Sequence, residues 1–193
     1  TSEENATYTG QVNTIETRHL WQVDPSTQLL FGADNRVEIG SSSYTSTSNF
    51  GPFSTQFPNQ TQTNTGMYMA ATNLNEVLSW TAGGRVDFYR NKNVPTVTLS
   101  LFRDVPGADA IARLSYRTGH REPSLFERFD GFSGDPTLSA EESNSYQASV
   151  EKKIGDVSVK AAYFLHEIRN RIDYNFTTSK YENIPGLTTS KGY

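Results

Sequence analysis

The chain has 193 residues, 35% of them hydrophobic and 12% aromatic, with a formal net charge of −4 at pH 7. It contains no cysteine, which excludes a disulfide framework and thiolate metal sites, and its acidic balance leaves no basic patch for nucleic acid. No run approaches the roughly 18 consecutive apolar residues of a membrane-spanning helix, but strands that cross a bilayer are only about 9–11 residues of alternating polarity and escape that test.

Residues 8–23 are rich in Thr, Val, Ile and aromatic side chains and predict a strand, closed by a turn at Asp24-Pro25-Ser26. Residues 28–39 predict its return. There Leu29, Phe31, Ala33, Val37 and Ile39 share one parity while Gly32, Asp34, Arg36 and Glu38 share the other, so one face is apolar and one wet. Residues 40–66 are mostly Ser, Thr, Asn, Gln, Gly and Pro and predict a long loop, into which Tyr44, Phe50, Phe53 and Phe57 are set. Those aromatics either pack the loop onto itself or form a ligand-facing lip.

A short strand over 67–72 and a turn over 73–78 lead to a clear strand over 80–90. In it Trp80, Ala82, Gly84, Val86 and Phe88 alternate with Thr81, Gly83, Arg85, Asp87 and Tyr89. After a loop at 91–95, Val97, Leu99 and Leu101 form the apolar side of the next strand, which stops at Asp104-Val105-Pro106-Gly107. Ala110, Ala112, Leu114 and Tyr116 then lie opposite Ile111, Arg113, Ser115 and Arg117.

Residues 119–146 predict one long loop between strands, because Pro123 removes a ladder donor and Gly131, Gly134 and Asp135-Pro136 keep the chain irregular. A helical turn fits 123–129. Residues 139–142 also fit a capping box, so a helix over 139–151 competes with a strand from Asn144. A turn at 153–156 opens a long strand from Val157, whose apolar rhythm changes parity near His166, through a bulge or through emergence from a bilayer. About nine strands result, joined alternately by short turns and mostly longer connections.

Gly119, Arg121, Pro123, Leu125 and Glu127, then Gly134, Pro136, Leu138, Glu141, Ser143 and Tyr146, resemble a paired signature in the barrel of TonB-dependent outer-membrane receptors of the siderophore and vitamin B12 kind. Gly83, Arg85 and Asp87 resemble the G-x-R-x-D strand of the same family, and the chain departs from the family pattern at Asp135, Ala140, Gln147 and Ser149. The resemblance implies an all-β fold. Residues 1–193 are then a partial antiparallel transmembrane β-barrel domain, about nine strands of the 22 in a plugged transporter, with the plug domain and the C-terminal strand expected to lie outside this stretch.

The resemblance further implies location in the outer membrane of a Gram-negative type of cell, contact with its lipid, energised uptake of an iron-siderophore, cobalamin or similar scarce small-molecule ligand, and coupling to TonB through the plug region. Orientation by parity sends the connections at 40–66, 120–144 and 175–187 to the exterior, making Tyr44, Phe50, Phe53, Phe57, Phe126, Phe129 and Phe132 the candidate ligand contacts. For Phe126 and Phe129 the alternative is packing at the loop base. His19, His120 and His166 have neither zinc nor triad spacing, and Asp130, Asp135, Glu141 and Glu142 lack calcium-loop spacing, so no catalytic residue, metal or cofactor is expected. A soluble secreted β-sandwich or carbohydrate-binding module is the alternative architecture, since it too has many short strands and aromatic loops.

Overall fold

The computed structural model describes residues 3–49 and 51–193. In chain order these form β1 (Glu3–Asp24), β2 (Thr27–Ser48), β3 (Gly51–Asn73), β4 (Ser79–Tyr89), β5 (Lys92–Val105), β6 (Ala110–Arg121), α1 (Leu125–Phe129), β7 (Glu141–Ile154), β8 (Val157–Arg169), β9 (Ile172–Asn175), β10 (Lys180–Asn183) and β11 (Leu187–Gly192). Nine strands make one antiparallel sheet in the order β1-β2-β3-β4-β5-β6-β7-β8-β11, and β9 with β10 makes a separate hairpin. This up-and-down order is that of a barrel wall. A sandwich needs a second sheet stacked on the first, and among the described residues the second sheet is a hairpin of two four-residue strands.

Register carries one parity across the whole sheet. Trp80 opposes Leu101, followed by Leu114, Ala148 and Tyr163; the neighbouring row runs Leu29, Ala71, Ala82, Leu99, Tyr116, Tyr146 and Leu165. Val86, Val97, Ala112 and Val150 share this face, and Leu99, Leu114 and Val150 are exposed on it. Arg85, Asp87, Arg113, Arg117 and Glu151 share the other.

On that polar face Arg85 Nη2 donates to Asp34 Oδ1 at 2.9 Å and to Asp87 Oδ1 at 2.7 Å, and Asn64 Nδ2 donates to Asp87 Oδ1 at 2.7 Å. The guanidinium lies across Gly66, where a Cβ would stand 2.0 Å from Nη2. A side chain there would evict it. Arg113 reaches Glu151 at 2.8 Å, a second ion pair on the polar face.

Several expectations are corrected. The loop expected over 40–66 gives way to strand over 40–48 and 51–66, where β2 and β3 ladder from Thr27 opposite Asn73 to Ser48 opposite Gly51. The polar composition hid this because neither face of this half is apolar, while the ladder needs only backbone donors and acceptors. The loop at 91–95 shrinks to a turn at Arg90 and Asn91, β7 begins at Glu141 rather than Asn144, and no helix forms over 139–151. The helical turn within 123–129 does form, as α1. Near His166 no bulge occurs: β8 keeps its register against β7 through Arg169, and the backbone breaks only at Asn170, whose φ is +53°.

A bulge does occur in β3. Gly40 opposes Gln60 and Ser42 opposes Phe57, so Ser41 faces two residues, Pro58 and Asn59. A bulge is one of the few places inside a sheet that accepts proline, since a ladder donor is unneeded there. Its effect is to exchange faces. Gln60, Gln62 and Asn64 lie on the polar face before it, and Phe57, Thr55 and Phe53 lie on that same face beyond it, where an unbroken strand would have turned them outward.

Candidate ligand-binding groove

The connection from β6 to β7 folds over the polar face at the end where β2 and β3 extend. Ser124 caps α1 reciprocally: its Oγ accepts from Glu127 N–H at 3.2 Å, and Glu127 Oε2 accepts from Ser124 N–H at 2.7 Å. Leu125 is buried against Gly40, where a Cβ would come within 3.1 Å of its Cδ1. Pro123 is fully buried.

Two charged clasps tie the connection to the strands. Arg121 Nε and Nη2 donate to the two oxygens of Glu141 at 2.8 and 2.9 Å, Arg121 Nη1 donates to Glu127 at 3.0 Å, and Glu141 Oε1 also accepts from Ile172 N–H at 2.8 Å. These hydrogen bonds from Arg121 hold the Glu141 carboxyl below the usual carboxylate range. In the second clasp the buried Glu122 meets Lys92 Nζ, His120 Nε2 and Arg128 Nη2, each at 2.7 Å. Burial pushes its carboxyl up, but the hydrogen bonds from Lys92 and His120 outweigh that and leave it below the ordinary value.

The β9–β10 hairpin docks on the same connection. Tyr181 N–H donates to the Ser133 carbonyl at 2.9 Å, and Asn183 brackets Ser139, accepting from its N–H at 2.7 Å and donating to its carbonyl at 2.9 Å. Connection and hairpin are thereby joined into one covering layer.

Between this layer and the β2–β3 extension lies an open groove of about 640 Å³. Its wall is aromatic: Tyr8 from β1, Tyr44 and Phe53 from the extension, Phe126 and Phe132 from the connection, and Tyr174 and Tyr181 from the hairpin. Phe126 is the hub, with ring centroids 5.9 Å from Tyr8, 6.4 Å from Phe57 and 6.1 Å from Tyr181. Phe53 stands edge-on to Phe132 at 5.9 Å and lies 6.1 Å from Tyr44. Such tilted and edge contacts leave ring faces free to stack on a bound molecule.

Of the seven residues singled out from the sequence, Tyr44, Phe53, Phe126 and Phe132 meet in the groove. Phe57 is only 6% exposed and packs beneath it, while Phe129 faces a separate polar cavity of about 1060 Å³ beside Gln60, Gln62 and Leu138. Phe50 lies outside the described residues. Tyr8, Tyr174 and Tyr181 were missed. Tyr8 carries a signal in its parity, because it opposes Ser42 on the same face as Tyr44, but that signal is readable only once β2 is known to extend past Ile39.

A nine-stranded meander with an apolar outer face, a polar inner face and connections folded over one end is the wall of a large β-barrel. The chain belongs to the TonB-dependent receptor β-barrel family: the family model described as "TonB dependent receptor-like, beta-barrel" matches residues 1–193. The family is one of receptors rather than enzymes. The vitamin B12 transporter BtuB of Vibrio cholerae serotype O1 is 29% identical over 80 residues, 42% of this chain and 13% of BtuB. The copper transporter OprC matches in structure with a TM-score of 0.78 at 12% identity, over 96% of this chain and 34% of OprC. The siderophore receptor PirA from Pseudomonas aeruginosa matches with a TM-score of 0.61 at 12% identity, over 95% of this chain and 52% of PirA. At that identity the two structures attest the fold alone. The chain spans a small part of its curated relative and a third to a half of these structures.

Proposed function

We propose that this domain is part of the wall of an outer-membrane, TonB-dependent transport receptor that takes up a scarce small-molecule ligand, an iron-siderophore or cobalamin being the class suggested by BtuB and PirA. Its outer face meets lipid, TonB coupling runs through a plug region inside the barrel, and the extended β2–β3 hairpin with its covering layer faces the cell exterior. The observation that carries the reading is the convergence of seven aromatic side chains from β1, the extension, the connection and the hairpin on one open groove on the inner face. Exposed aromatic rings gathered by four different segments are costly unless they meet a partner, and aromatic anchors of this kind dominate binding energy.

Phe53 and Phe132 are 44% and 51% exposed, so replacing both by alanine removes ligand contacts without opening a core. In the assembled receptor, checked by heat-modifiable gel mobility, the double variant should bind ligand at least about tenfold more weakly, each lost hot spot being worth about 2 kcal/mol or more. Unchanged affinity in an assembled barrel would remove the groove from the site.

A further inference from the structure

The charge lining the groove restricts what it can hold. Among its lining residues there is no Lys or Arg, and the one charged side chain is Asp130. Asp130 is held in place through one oxygen only: Oδ2 accepts from Phe132 N–H at 3.2 Å, from Ser133 N–H at 2.8 Å and from Ser133 Oγ at 2.7 Å. Oδ1 has no hydrogen-bond partner among the described residues. The turn thus fixes a carboxylate with one oxygen spoken for and the other available at the edge of the aromatic wall.

The cations of the connection and of β10 lie outside the lining, and two of the three are ion-paired. Arg128 donates to Glu122, Arg121 is shared between Glu141 and Glu127, and Lys180 Nζ donates to the Gly134 carbonyl at 3.3 Å. The local field is negative as well: after burial, the charges of Glu127 and Asp130 are what push the Tyr181 hydroxyl above its ordinary value. Ring faces present negative quadrupole charge to whatever sits over them, and a carboxylate beside them adds a full charge of the same sign. An anion entering this groove would meet unfavourable electrostatics from both sources. A cation would be favoured by both.

From this we infer that the groove seats an organic cation, an ammonium or alkylammonium group carried by the ligand, held between the rings of Phe53, Phe132 and Tyr181 with Asp130 as its counter-ion. The inference rests on the groove being the ligand site and adds the charge of the group that enters it. It separates cationic ligands from polyanionic chelates of the same size, which this wall would repel.

The test uses small probes of one shape and three charges, so that it does not depend on the identity of the natural ligand. Benzyltrimethylammonium, benzyl alcohol and benzoate are titrated against the detergent-solubilised, assembled receptor by saturation-transfer NMR at about 150 mM salt. The cation should bind at least about fivefold more tightly than benzoate, with benzyl alcohol between them. Asp130→Asn should reduce the cation's affinity about threefold or more and leave benzyl alcohol unchanged, whereas Phe53→Ala with Phe132→Ala should weaken all three. Equal binding of cation and benzoate, or a cation affinity indifferent to Asp130→Asn, overturns the charge assignment while the aromatic variant still reports on the groove. Binding indifferent to the aromatic variant as well overturns both the charge assignment and the groove as the ligand site.

Discussion

The two halves of the β2–β3 hairpin obey the same backbone rule and opposite side-chain rules. From Leu29 to Ala33, and across from Ala71 back to Met67, every outward position is apolar; from Gly40 to Ser48, and across from Gln60 back to Gly51, both faces are mainly polar, yet the ladder continues. The comparison separates two things that strand patterns confound. Hydrogen bonding along the ladder makes the strand, and alternation records only that one face must avoid water or enter lipid. Where that demand ends, the period-two signal ends with it.

The largest effect that sharpens the contrast comes from placing one charge on each half. Met69→Arg, on the apolar outer face of the first half, should cost about 2–4 kcal/mol in lipid, while Ser54→Arg, at an outward position of the extension, should stay within about 0.5 kcal/mol. Urea titration of the receptor in liposomes measures both. Equal costs would mean that the two halves share one environment.

A second variant breaks the comparison at its hinge. Deleting Asn59 removes the extra residue of the bulge, so the strand beyond it must either re-register, turning Phe53 and Phe57 outward, or lose pairing towards Gly51. Ligand affinity should fall about tenfold, which is about 1.4 kcal/mol, with barrel assembly retained. Full affinity would show that the inward set of Phe53 is not needed.

The smallest effect concerns pH. Glu122 and Glu141 both have carboxyls held below their ordinary value in the folded protein. Groups of this kind contribute stability that is fully present above their unfolded pKa and is lost as pH falls through the depressed folded value. Both clasps therefore hold at neutral pH and loosen under acid. Hydrogen exchange should quicken in residues 122–140 as pH falls below the ordinary glutamate range, once the intrinsic pH dependence of exchange is divided out, before it quickens in β4–β6. Simultaneous loosening of sheet and connection would count against the clasps.

Much of the wall was legible from residues alone. The alternation from Trp80 to Tyr89, the rows through Leu99 and Leu114 and the partition of Arg85, Asp87 and Arg113 to the other face follow from a period of two and from the cost of charge in an apolar layer. The connection was legible in part, because Pro123, Gly131 and Gly134 act locally, but the capping box read at residues 139–142 forms instead at Ser124 and Glu127. These are decisions taken within a few residues, where chemistry and sequence distance coincide.

Tertiary structure alone decided the groove. Whether Phe53 faces inward depends on a bulge five residues further on, and a bulge is defined by the partner strand rather than by its own sequence. Tyr8 and Tyr181 are 173 positions apart and both pack on Phe126, because the sheet returns β2 beside β1 and the β9–β10 hairpin folds back onto the connection. Composition could mark 40–66 as polar and aromatic-bearing, but polar residues on both faces are equally compatible with a loop and with a wet strand. Only pairing against a neighbour distinguishes them, and pairing is a property of two segments at once.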